Sequence, residues 1–315
     1  MSPNSQKIIA CLAWAAAAAA VFSTFVAAHA QVIEPARIVA SGFMPGAAPA
    51  AMPAATPAVI APPTRPVSAL PHPNAPLAAS PITCSAPAEL THFDRPLPHT
   101  ARRLASGEPL AIVAIGSSST AGAGASSPDA SYPSRLAVEL KQRLPLQDIT
   151  VLNSGVNGEE TDQMVARFET GVYPAQPQLV LWQVGTNSVL RDRPLEPHSV
   201  QLQEGIDELK DTGADVVLID PQYSPKVLAK SEAPDMVDQI ALIAKEKNID
   251  LFHRFAAMRD WHEVQHLPFD TFVSPDGLHM NDWGYACWAK LLANGIAEAA
   301  TRPVASAGAS AHTAH

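Results

Sequence analysis

The chain has 315 residues, 47% of them hydrophobic, and a formal net charge of −9 from 21 Lys and Arg against 30 Asp and Glu. No block of lysine or arginine is present to offset phosphate charge, which argues against nucleic acid as a partner. The length and apolar content suit one sizeable core rather than several.

The first 30 residues read as an export signal. Lys7 precedes an apolar run over residues 8–28, and Ala28-His29-Ala30 has the small-x-small form that signal peptidases accept. The run is almost long enough to span a bilayer, so an uncleaved N-terminal membrane anchor is the alternative. Residues 31–82 hold 12 of the 30 prolines, with only Glu34, Arg37 and Arg65 charged. Proline at that density blocks both helix and sheet, which predicts a disordered, extended Pro/Ala-rich linker. One domain is expected over 83–303, then a disordered tail over 304–315 whose His312 and His315 are too sparse to argue for metal. Of the three cysteines, Cys11 lies in the signal. Cys84 and Cys287 remain as a pair, and a periplasmic or secreted location predicts a disulfide between them, with two buried thiols as the alternative.

Within the domain, runs rich in Val, Ile and Leu recur at 110–115, 149–152, 179–184, 215–219 and 249–252. Each is short and nearly continuous, as expected of strands buried on both faces of a parallel sheet. Helical patterns lie between them. Tyr132, Leu136, Leu140 and Leu144 fall four apart; Ile206 with Leu209, and Met236 with Ile240 and Ile243, follow the same period. Strand and helix alternate, which predicts an α/β domain: a three-layer α/β/α, doubly wound parallel sheet of flavodoxin-like type. In such sheets ligands bind beyond the carboxyl ends of the strands, where Ser118, Gly158 and Asn187 all fall. Residues 220–235, with Pro221, Pro225 and Pro234, are expected to form a long loop at that edge.

Four blocks in this region carry chemistry. Gly116-Ser117-Ser118 follows the first strand, Asn153 and Gly158 follow the second, Gly185-Thr186-Asn187 follows the third, and Asp276 and His279 lie near the C-terminal end of the domain. A serine hydroxyl becomes a nucleophile when an imidazole takes its proton and a carboxylate orients that imidazole. In this order the blocks resemble the SGNH, or GDSL-type, hydrolases, over about residues 110–300. The resemblance implies Ser118 as nucleophile, His279 as general base and then acid, and Asp276 as the group that orients it. It also implies an oxyanion hole made by the Ser118 and Gly158 backbone N–H groups and the Asn187 side-chain amide. Ser117 stands where the family has aspartate; its hydroxyl is expected to bind neighbouring backbone instead. Gly116 is expected to allow a tight turn.

The implied activity is hydrolysis of carboxylic esters through an acyl-enzyme on Ser118, without cofactor or metal. The expected substrate is a short-acyl ester, such as an O-acetyl group on envelope or extracellular carbohydrate. Lipases, thioesterases and acyl transferases of the same superfamily are the alternatives, and a non-catalytic polysaccharide-binding module is a further one. Trp283 and Tyr223 are candidate substrate-binding residues, and Trp182 is expected in the core. A competing motif, His262-Glu263-Val264-Gln265-His266, has the spacing of a zinc peptidase site on a helix. Pro268 is expected to end that helix just after His266, which together with the α/β pattern favours the hydrolase.

Overall fold

The order of the strands fixes where a ligand can bind. A computed structural model describes residues 82–302; the expected signal, nearly all of the linker and the tail lie outside the described residues. The strands β1 (Leu110–Gly116), β2 (Ile149–Gly155), β3 (Leu179–Gln183), β4 (Asp215–Ile219) and β5 (Asp250–Phe252) form one sheet in the order β2-β1-β3-β4-β5. All neighbouring pairs are parallel.

The helices used below are α1 (Pro98–Ser106), α2 (Ser118–Ala121), α3 (Tyr132–Arg143), α4 (Thr186–Leu190), α5 (Leu195–Asp211), α6 (Ala233–Glu246) and α7 (Asp282–Thr301). The step from β1 to β2 runs one way along the sheet, and the later steps run the other way. Right-handed crossovers therefore put α3 on one face and α5 and α6 on the other. α3 packs with α7, and α5 packs with α6, which completes the three layers. The reversal of direction falls between β1 and β3, and it opens the crevice used by doubly wound folds at their carboxyl edge. No helix among the described residues is long and apolar enough to cross a membrane.

Burial follows the sequence pattern, with one exception. Ile112 to Ile115 of β1 and Leu179 to Trp182 of β3 are fully buried. β2 is an edge strand with alternating exposure, and Leu152 is 42% exposed. The expectation that every strand is buried on both faces fails at β2, whereas β5, the other edge strand, is buried throughout. Tyr132, Leu136 and Leu140 are buried along α3, whereas Leu144 falls just past the helix end and is only partly covered. Tyr132 stacks on Trp288 of α7 with ring centroids 3.8 Å apart, joining the two helices of that layer. Residues 220–235 are not a continuous loop: residues 220–224 are buried, a short helix spans Pro225–Leu228, and α6 begins at Ala233.

A disulfide joins Cys84 to Cys287 of α7 across 203 residues of sequence. It ties the segment ahead of α1 to the last helix, where the Ser85 carbonyl also accepts a hydrogen bond from Trp261 Nε1 at 2.8 Å. Cross-linking so long a loop restricts the unfolded chain, so reduction is expected to cost about 5 kcal/mol of stability in the chain-entropy estimate. Denaturant unfolding with and without reductant measures this, and two alkylatable thiols in protein purified without reductant would exclude the bond.

Candidate active site

The nucleophile candidate sits where β1 gives way to α2. Gly116 is needed for space rather than for an unusual backbone angle: a Cβ there would lie 2.2 Å from Thr120 Oγ1 and 2.9 Å from Gln183 Oε1. The Ser117 backbone N–H and hydroxyl both donate to Gln183 Oε1 at 3.0 Å. The Ser117 hydroxyl thus binds a side chain at the end of β3, not neighbouring backbone as expected. Ser117 and Ser119 are each 2% exposed. Ser118 is the member of the triplet with partial access to solvent.

Its partners arrive on a tight turn after β5. Ser274 N–H donates to the His279 carbonyl at 2.8 Å, Gly277 takes a left-handed φ of 71°, and the Asp276 carboxylate fills the turn. Asp276 Oδ1 accepts from the Ser274 hydroxyl at 2.7 Å and from the Leu278 and His279 backbone N–H groups at 2.9 Å. Asp276 Oδ2 lies 2.5 Å from His279 Nδ1, and His279 Nε2 lies 2.7 Å from Ser118 Oγ. Partial burial pushes the Asp276 carboxyl up. The hydrogen bonds from the His279 ring, the Leu278 backbone, the Ser274 hydroxyl and the His279 backbone outweigh this and hold it well below the usual carboxylate range. With an ionised carboxylate at Nδ1, that nitrogen carries the proton and Nε2 is left to accept from Ser118.

The remaining blocks converge on the same edge. Ser118 is the first residue of α2, so its backbone N–H has no intrahelical partner. Gly158 has a φ of 81°, and its carbonyl accepts from Arg191 Nη2 at 2.8 Å. Asn187 on α4 donates through Nδ2 to the Glu159 carbonyl at 2.8 Å, tying α4 to the Gly158 loop. Asn153 Oδ1 accepts from the Gly155 N–H at 3.0 Å and shapes the end of β2. Two clamps on this loop have no counterpart in the sequence reading. Arg167 pairs with Glu159 at 2.7 Å and donates to the Ser154 carbonyl at 2.7 Å, and Arg191 pairs with Glu160 at 2.9 Å. The signal available in the sequence is the pair of acids directly after Gly158, with arginines further along.

Other candidate residues have structural employment. Trp182 is fully buried and its Nε1 faces Met164 Sδ at 3.3 Å. The Tyr223 hydroxyl donates to Glu263 at 2.5 Å, and its ring packs edge-on against Phe255. Trp283, half-buried at the start of α7, packs edge-on against Trp261. The competing motif is not on a regular helix. A π-helical turn ends at Val264, and His266 has a left-handed φ of 57°, so the helix stops before His266 rather than after it. His262 Nδ1 lies 2.9 Å from the Leu267 carbonyl. Among the described residues, no group of three or more His, Cys, Asp or Glu side chains is placed to hold a metal ion.

Comparison with known proteins bears on this arrangement. The sequence profile of the Non-GDSL lipase-like family matches residues 83–302. An arylesterase from Vibrio mimicus is 32% identical over 134 residues, covering 42% of this chain and 62% of that protein. The match therefore spans less than two thirds of that relative. A two-domain esterase active on acetylated mannans is similar in structure with a TM-score of 0.58 at 21% identity, over 69% of this chain and 58% of that one. A catalytic mutant of an acetylxylan esterase from Geobacillus stearothermophilus gives 0.52 at 20% identity, over 59% of this chain and 94% of that one. A lipase/acylhydrolase from Enterococcus faecalis gives 0.50 at 23% identity, over 60% and 95% respectively. At these identities the structural likeness is one of fold.

Proposed function

This chain belongs to the Non-GDSL lipase-like family, and from that premise we propose that it is an exported serine esterase acting through an acyl-enzyme on Ser118. The observation that carries the reading is the continuous hydrogen-bonded array from Ser118 Oγ through the His279 ring to Asp276. In this reading Ser118 Oγ attacks the ester carbonyl as its proton passes to His279 Nε2. The carbonyl oxygen gains negative charge and receives hydrogen bonds from the Ser118 and Gly158 N–H groups and from Asn187. His279 then gives the proton to the departing alcohol oxygen, leaving an acyl-Ser118 ester. Water, deprotonated by the same nitrogen, hydrolyses that ester and restores the hydroxyl.

The substrate we assign is a short-acyl ester, most simply an O-acetyl group on an extracellular or envelope carbohydrate. Two observations support this. Among the described residues, the exposed large apolar side chains, among them Val138, Leu146, Leu152, Val156, Val200, Leu228, Leu242 and Val264, are spread over several elements rather than concentrated on one amphipathic element. Proteins of like fold include esterases acting on acetylated mannans and on acetylxylan. Export is supported by the Cys84–Cys287 disulfide, which suits an oxidising compartment.

The test is a panel of acetyl, butyryl and dodecanoyl esters of one leaving group, run beside labelling by a fluorophosphonate probe. Highest kcat/KM on the acetyl ester is expected. A steady rise of kcat/KM with chain length would overturn the short-acyl assignment and put a lipid substrate first.

A further inference from the structure

The motif residues do not by themselves explain how the oxyanion side and the histidine side of the site keep a fixed distance. They stand on different loops, α4 after β3 and the turn after β5. One buried side chain from a third loop touches both. Gln222, 1% exposed, follows β4; its Oε1 accepts from the Thr186 hydroxyl at 3.0 Å, and its Nε2 donates to the Leu278 carbonyl at 3.3 Å. Thr186 is the residue before Asn187, and Leu278 is the residue before His279.

The amide can sit only one way round. Arg254 Nη2 donates to the same Oε1 at 3.0 Å, and a guanidinium has no acceptor, so the oxygen must face it. The nitrogen is then forced toward the Leu278 carbonyl. Arg254 is itself immobilised: it is 1% exposed, donates through Nε to the Asp220 carbonyl at 2.9 Å, and lies 4.8 Å from the centre of the Trp288 ring. Glutamine is thus the side chain that fits, since it offers an acceptor to two donors and a donor to one carbonyl.

We propose that Gln222 is a positioning residue that couples the Asn187 helix to the His279 loop, with Arg254 fixing its orientation; this rests on the esterase reading above. The bridge holds the oxyanion donor and the general base in one register about Ser118. Small misplacements of such groups cost rate far more than they cost substrate affinity, up to about 100-fold for 1 Å.

The test uses the full chain and three variants: Gln222→Leu, Thr186→Val and the double. Endpoint titration with a fluorophosphonate counts competent sites, so kcat per site is separated from any loss of folded protein. Gln222→Leu is expected to lower kcat per site by about 10–100-fold with KM within about twofold. Thr186→Val breaks one arm and should lose less, and the double variant should be within about twofold of Gln222→Leu because both act through one bridge. An unchanged kcat per site in Gln222→Leu, or a double variant whose loss is the product of the two single losses, would overturn the proposal. If Gln222→Leu does not fold, Thr186→Val decides alone, and an unchanged kcat there overturns the bridge. A wild-type chain that neither hydrolyses esters nor labels at Ser118 overturns the esterase reading and the bridge's role with it. Normal wild-type turnover beside an unaffected Gln222→Leu overturns the bridge alone.

Discussion

Replacing Ser118 with alanine is expected to lower kcat toward a small activated ester by about 10⁶, leaving only what the oxyanion donors and binding provide. The fold should survive, because the hydroxyl's hydrogen bond in the described structure is to His279 and its side chain is partly open to solvent. His279→Ala should lose about as much, and Ser118→Ala combined with His279→Ala little more, since the members of a triad act as a unit. The neighbouring serines give the contrast. Ser117→Ala removes a hydroxyl bound to Gln183, and Ser119 is buried, so both variants should keep measurable turnover. Mass spectrometry of the fluorophosphonate adduct checks the register directly, and an adduct on Ser117 or Ser119 would move the nucleophile.

The strands were legible because four of the five are covered on both faces and therefore read as continuous apolar runs. β2 carries the same apolar residue types, yet Leu152 is exposed while β5, at the other edge, is buried; what covers each face of a strand is not written in any local pattern. The four site blocks were legible for a similar reason: each is a short segment directly after a strand or within one turn, and the α/β topology gathers such segments at one edge. Gln222 and Arg254 could not be found that way. Each takes its meaning from partners 32 to 56 residues away in sequence. Tyr223 likewise has a partner that its place in the chain does not foretell, since its hydroxyl meets Glu263, 40 residues further on. At His262 to His266 the spacing of a metal motif is present, but a π-turn and a left-handed His266 break the one-turn geometry that the spacing presupposes.

Asn187→Ala is expected to lower kcat by about 10²–10³ while changing KM little, the signature of a donor that meets the oxyanion more strongly than the ground-state carbonyl. The amide nitrogen carries two hydrogens. One is committed to the Glu159 carbonyl, which ties α4 to the loop that presents the Gly158 N–H. In the proposed oxyanion hole the other would meet the substrate oxygen, so that a single side chain would both donate and fix the neighbouring donor. Alanine removes the first function and loosens the second, though Arg191 on Gly158 and Arg167 on Glu159 still hold the loop. The loop should therefore stay folded, and the loss should appear in turnover rather than in stability. Asn187→Asp should be worse than alanine, because its carboxylate would face both the Glu159 carbonyl and the developing oxyanion with no hydrogen to offer. Steady-state kinetics on one acetyl ester, with sites counted by titration, separates the outcomes: a rise in KM at unchanged kcat would assign Asn187 to substrate binding and leave the oxyanion to the two backbone donors.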